Sequence, residues 1–212
     1  MELPQTTRPT FSNLPTEIKL NVFAFVRSRN DQARECLVNR NWLACMAPLL
    51  WKILEMNSTT ATADNLAAIL HSGNNVIKNI QYIDICEPLY QSLDRCCPEL
   101  EAVVQIIVTA LPLNSLRGFA SALSVGLPLL IHLLQCQQTL EMLCVPIDST
   151  TYNFPVKFDA VAYAKWFTSA LANVRELILC LREDCPDSYE AGAAFISNAK
   201  QLNALSIWAE YG

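Results

Sequence analysis

The sequence predicts an α/β fold: a small N-terminal helical unit, then helix–strand units stacked into a short, irregular solenoid with parallel strands and the helices on the convex side. Three observations predict it. Apolar residues recur at helical spacing as far as Trp51. From about residue 58, helical runs alternate with short strand-like runs. Those strand-like runs share one register, L-x-x-L-x-L with aliphatic substitutions.

Residues 1–11 read as a polar leader containing Pro4 and Pro9. Ser12 or Asn13 is placed to cap a helix, and Pro15 suits the first turn, where its missing N–H is no loss. Ile18, Val22, Phe25 and Val26 follow at helical spacing. Arg27–Asp31 is a polar break, and Cys36, Leu37, Leu43, Met46 and Leu50 mark further turns. This helical unit is assigned to residues 12–57.

Residues 58–212 carry about five repeats. Their strand-like runs are Ile80–Ile83–Ile85, Leu113–Leu116, Leu140–Leu143–Val145, Val174–Leu177–Leu179 and Leu202–Leu205–Ile207. The second run is the weak one, with Gly118 at its third apolar position. The central residues 83, 116, 143, 177 and 205 are separated by 33, 27, 34 and 28 residues, near the period of long leucine-rich repeats. A helix precedes each run. Asp64 is placed to cap Asn65–His71, Pro98 opens a helix with Glu99 and Glu101 in its first turn, and Pro128 opens Leu129–Gln135. Asp159 is placed to cap a helix whose apolar face holds Val161, Tyr163, Trp166, Phe167 and Leu171. A last helix, near Tyr189–Ala199, places Ala193, Phe195 and Ile196.

Each helix–strand unit has an apolar face too large to leave wet and too small to fold alone, so stacking buries those faces in one core. A doubly wound domain alternates in the same way. The recurring register and the lack of a phosphate-binding glycine loop favour the solenoid. Solenoids need a closing cap and the chain stops just after the last strand, so the array is expected to be truncated or to pair end to end.

Composition narrows the functional classes. The chain is 52% apolar and 17% charged, which argues for a packed core and against disorder. Residues 1–57 carry seven Lys/Arg and five Asp/Glu, whereas residues 58–212 carry eight and fifteen. An acidic second part repels phosphate backbones, so no nucleic-acid partner is expected. The nine cysteines form no CxxC pair and neither histidine stands at zinc-finger spacing from a cysteine pair, so no metal and no cofactor are expected. Met1–Pro15 lacks the apolar core of a signal peptide. Reduced cysteines then point to the cytoplasm or nucleus. Ala102–Leu116 and Gly118–Leu140 carry no charge and admit a membrane hairpin, but Pro112, Asn114, Arg117, Pro128 and His132 interrupt them and no span is expected.

Leu14–Trp51 resembles an F-box. The residues that carry the likeness are Leu14-Pro15-Thr16-Glu17-Ile18, Val22-Phe23, Phe25-Val26, then Leu37-Val38-Asn39-Arg40-Asn41-Trp42, and finally Pro48-Leu49-Leu50-Trp51. LPxE, V-x-R-x-W and PLLW fall in the family's order and near its spacing. Asn39 stands where the family often has Cys. The resemblance implies a three-helix unit that docks on a Skp-family adaptor and through it a cullin scaffold. The adaptor contacts it implies are Leu14, Pro15, Ile18, Val22, Leu37 and Leu50, with Trp42 and Trp51 packing the unit. An F-box followed by irregular leucine-rich repeats is a pairing seen in fungal proteins. It implies a non-enzymatic substrate adaptor of a ubiquitin ligase, with a substrate protein held by the repeats.

The residues argue in parallel. A helical unit of this length is too small to bury all its large apolar side chains, and an amphipathic surface that completes another protein's helical core is the expected use. The bland alternatives are that these side chains pack on the first repeat and that the chain is a repeat scaffold with a helical cap. In the repeats, the residues between the buried positions of each strand face the concave side. Those singled out for a substrate are Tyr82, Asp84, Met142, Glu176, Ile178, Ser206 and Trp208; Cys86, Cys144, Cys180 and Ala204 share that face.

No catalytic residue is assigned. His71 ends a helix and His132 lies in an apolar helical run, where a hydrogen-bonded structural role is expected. GxSxG, the P-loop, GxGxxG and HExxH do not occur. Glu183-Asp184-Cys185-Pro186-Asp187 has metal-like content but lacks an EF-hand's alternation and glycine.

Overall fold

Helix caps and apolar spacing place three helices at the start of the chain. The structure is a computed structural model that describes residues 11–57, 59–71, 75–86, 98–122, 127–147, 171–182 and 186–210. The chain divides into two units, Met1–Lys52 and Ile53–Gly212.

The first unit opens with a 3-10 turn at Phe11–Asn13, then α1 (Thr16–Phe23), α2 (Arg29–Cys36) and α3 (Arg40–Leu50). Ser12 and Asn13 precede the helix by too many residues to cap it. Pro15 itself takes the N-cap position, with φ −54° and ψ 148° and no side-chain hydrogen bond. Ser28 caps α2 by accepting from the Asp31 N–H. Asn39 caps α3 by accepting from the N–H groups of Asn41 and Trp42 at 2.9 and 3.0 Å. The residue that departs from the F-box pattern therefore has a local task of its own. Pro48 sits in the last turn of α3 and has no N–H to give to the carbonyl four residues back.

The second unit begins earlier than the sequence suggested. Residues 53–57 were assigned to the helical unit, but β1 (Ile53–Met56) pairs in parallel with β2 (Tyr82–Ile85). The chain then runs through α4 (Ala63–His71), α5 (Asn75–Asn79), α6 (Pro98–Ala110), β3 (Gly118–Ser121), α7 (Leu127–Cys136), β4 (Met142–Ile147), β5 (Glu176–Arg182), α8 (Pro186–Asn198) and β6 (Ala204–Glu210). Thr62, one residue outside α4, caps it at the Asn65 N–H (3.2 Å), and Asp64 lies inside the first turn. The helix expected after Asp159 falls outside the described residues, as do the leader through Thr10 and Glu183–Cys185.

Among the described residues the six strands are all parallel, and their order in the sheet is their order in the chain. No reversal occurs, so the switch-point crevice of a doubly wound sheet is not formed. One joint repeats at the start of successive strands. The carbonyl of Gln81 accepts from the N–H groups of Arg117 and Gly118, that of Arg117 from Glu141 and Met142, that of Glu141 from Arg175 and Glu176, and that of Arg175 from Asn203 and Ala204. In each case the two distances lie between 2.7 and 3.1 Å.

The inward rows of the sheet form the core. Leu54, Ile83, Phe119, Leu143 and Leu177 make one row and Met56, Ile85, Ser121, Val145 and Leu179 the next, all buried. Val104, Ile107 and Val108 of α6 and Leu129, Leu130, Leu133 and Leu134 of α7 are buried with them. At about 1.5–3 kcal/mol for each fully buried side chain, these rows are the main drive to fold. α8 approaches the sheet closely at Gly192, where a β-carbon would stand 3.1 Å from Leu181 Cδ2. Among the described residues no helix is long and apolar enough to cross a membrane.

Candidate functional site

Each unit carries one surface of interest. In the helical unit, the 3.6-residue period of α1 turns Phe23 inward and Ile18 and Val22 outward. Phe11, Phe23 and Trp42 meet with ring centroids 4.9–5.4 Å apart, and Cys45 and Met46 are buried beside them. Leu20, Val26, Cys36 and Leu49 complete that cluster. Trp42 is therefore a packing residue. Gln32 Nε2 donates to the Val26 carbonyl (2.7 Å) and Arg29 to the Leu50 carbonyl (3.2 Å), which tie the three helices together.

That core leaves large apolar side chains outside it. Ile18 and Val22 are 46% and 45% exposed, and Leu37, in the link between α2 and α3, is 85% exposed. Pro15 is exposed, and Leu14 and Leu50 are half-buried. Three more residues, outside the six expected adaptor contacts, join this exposed set: Phe25 at 84%, Val38 and Leu43. Phe25 continues the Ile18–Val22 spacing, which was the signal that could have found it.

In the second unit, strand alternation puts all seven substrate candidates on the sheet's outward face. One row reads Ile53, Tyr82, Gly118, Met142, Glu176, Ala204; the next reads Glu55, Asp84, Ala120, Cys144, Ile178, Ser206; Pro146, Cys180 and Trp208 begin a third. Ile53 and Glu55 were missed because β1 was read as part of the helical unit. Gly118 was placed in the core and stands instead on the outward face. The Tyr82 ring covers it, so that a β-carbon there would lie 2.8 Å from Tyr82 Cε1 and 3.1 Å from Met142 Cε. The bare glycine is what leaves room over β3 for the tyrosine ring and the Met142 methyl.

The electrostatics of this face are negative. Burial raises the Asp84 carboxyl above its ordinary value, and the neighbouring Glu55 carboxylate raises it further. The Cys144 thiol is pushed up to about 11, first by burial and then by Cys180, Asp84 and Glu176, against a lowering hydrogen bond from the Ser121 backbone. A thiol held neutral in this way is not a nucleophile at neutral pH.

Elsewhere, His132 faces Thr109 Oγ1 at 3.4 Å, and both of its ring nitrogens lie 3.8 Å from Cys136 Sγ. A sulfur equidistant from the two nitrogens has neither aimed at it, which is not the geometry of an activated Cys–His pair. His71 Nδ1 meets the Ala67 carbonyl one turn back in α4 at 2.8 Å. Among the described residues no group of three or more His, Cys, Asp or Glu is placed to hold a metal ion. No protein-family model matches the chain, and no curated protein matches it.

Proposed function

We propose that this protein is a substrate-recognition adaptor of a Skp–cullin–F-box ubiquitin ligase. Its helical unit is an F-box that docks on a Skp-family adaptor, and its second unit is a leucine-rich-repeat solenoid that holds a substrate protein on the outward sheet face. The protein itself performs no bond chemistry in this reading; it brings a substrate near the ligase.

The observation that carries the reading is the exposure of Ile18, Val22 and Leu37 around a core already closed by Phe11, Phe23, Trp42 and Met46. Exposed apolar side chains grouped on so small a unit favour a protein partner that removes them from water. The order LPxE, V-x-R-x-W, PLLW selects which kind of partner.

Co-expression of the full chain with a Skp-family adaptor, followed by size-exclusion chromatography, tests it. The two are expected to elute as one complex. Separate elution at micromolar concentrations would favour the plain repeat scaffold with a helical cap.

A further inference from the structure

The first three outward rows of the sheet carry charge of one sign, and the fourth pairs Arg182 with Glu210. The first three rows hold three carboxylates, Glu55, Asp84 and Glu176, and no lysine or arginine. Glu55 and Asp84 stand directly opposite each other on adjacent strands, an arrangement that destabilises a sheet. Burial is the larger cause of the raised Asp84 carboxyl and the raised Cys144 thiol, and neighbouring acidic groups add to both. Between the carboxylates lies apolar surface, Met142 and Ile178, with Trp208 65% exposed beyond it.

The spacing is as informative as the sign. Asp84 is on β2 and Glu176 on β5, three strand intervals apart and one row (two residues) offset along the strands, or roughly 16 Å at about 4.8 Å per interval and about 3.3 Å per residue. An extended peptide rises about 3.3 Å per residue, so four residues cover about 13 Å and the reach of two long basic side chains spans the rest. Basic side chains at positions i and i+4 of an extended segment crossing the strands would each meet a carboxylate, and the residues between them would lie over Met142 and Ile178.

We infer that the substrate segment held by this face is extended and cationic, with two basic residues about four apart flanking apolar ones. This rests on the reading that the outward face is where the substrate sits, and it adds the substrate's chemistry. Charge complementarity across an interface mainly sets which partner is accepted and how fast it arrives, so the interaction is salt-sensitive.

The test uses the full chain and a fluorescein-labelled nonapeptide with a Lys-Val-Leu-Val-Lys centre, compared with the same peptide bearing Glu for Lys. Fluorescence anisotropy is expected to show binding of the lysine peptide alone, weakened at least fivefold by Asp84→Asn and again by Glu176→Gln. Glu17→Gln, on α1 of the helical unit, and Asp64→Asn, in the first turn of α4, both exposed carboxylates, are expected to leave it unchanged. Equal weakening by all four substitutions would mean diffuse attraction to an acidic protein and would overturn the inference, as would equal binding of both peptides. Adaptor co-elution of the same variants separates the two ideas. Adaptor retained with no peptide preference sinks the cationic substrate alone, and peptide binding without adaptor sinks the ligase reading alone.

Discussion

Tyr82, Gly118 and Met142 show how one side chain's placement depends on another's absence. The Gly118 backbone has no left-handed requirement; the Tyr82 ring occupies the space a β-carbon needs. Gly118→Ala is expected to destabilise the fold by about 1–3 kcal/mol through overpacking. In a Tyr82→Ala background the same change should cost less than about 0.5 kcal/mol, because the contact is gone. Urea denaturation of the four proteins of this cycle checks it, and equal costs in both backgrounds would show that the ring does not matter. Cys144 gives a pH dependence with a definite sign. Its folded thiol titrates at about 11 against an ordinary value of 9.0. Between those values the unfolded chain has lost a proton that the folded chain keeps, so stability falls as pH rises from 9 to about 11. Cys144→Ala should flatten that part of the stability profile, measured by denaturant midpoint against pH. Among the described residues, Asn114 is the non-glycine residue with positive φ, 59°. Its Oδ1 accepts from the Gln138 N–H (2.8 Å) and its carbonyl from Thr139 Oγ1 (2.8 Å), which offsets the strain and joins neighbouring loops.

At the scale of elements, the sequence announces most strands and misplaces two. β2, β4, β5 and β6 fall where the L-x-x-L-x-L register puts them. β3 lies three residues later than the Leu113–Leu116 run suggested, since Ile83 pairs with Phe119 and Leu116 holds the first apolar position. Leu113, which drew the eye, is 74% exposed. The slip arose because Ser121 fills an inward position that is aliphatic in the other strands, so the pattern fitted poorly in its true register. β1 was invisible for another reason: four residues directly after a helix, without a turn signal, read as the end of that helix. Helix ends fared unevenly. Pro98 opens α6 as its residue type dictates, but the α4 cap fell to Thr62, which competes with Asp64 on nearly equal terms. The register also makes a comparison between neighbouring strands. Leu177 and Leu205 are partners in one row, yet Leu177 is fully buried and Leu205 is 42% exposed on β6. Leu177→Ala is expected to cost about 2–5 kcal/mol and Leu205→Ala less than about 1 kcal/mol. Thermal melts of the two variants would contradict the observed register if the losses were equal.

For the molecule as a whole, the division at Lys52 matches a division of labour in side-chain chemistry. The first unit exposes apolar residues, and the second offers a sheet face whose carboxylates stand among apolar and thiol side chains. The α/β class and the one-way order of the sheet follow from alternation that any reader of the sequence can count. The outward face as a shared surface was legible too, once period-two alternation was applied. The electrostatic neighbours of Cys144 were not, because they come from three different strands and only the sheet brings them together. The central claim is that the exposed residues of the helical unit bind a Skp-family adaptor, and calorimetric titration of the purified full chain with that adaptor tests it most directly. Wild type and Trp208→Ala are expected to bind with equal affinity. Ile18→Glu combined with Leu37→Glu, both at exposed sites, should keep the melting temperature and weaken binding at least a hundredfold. Undiminished binding by that double variant, or no binding by wild type, would contradict the account.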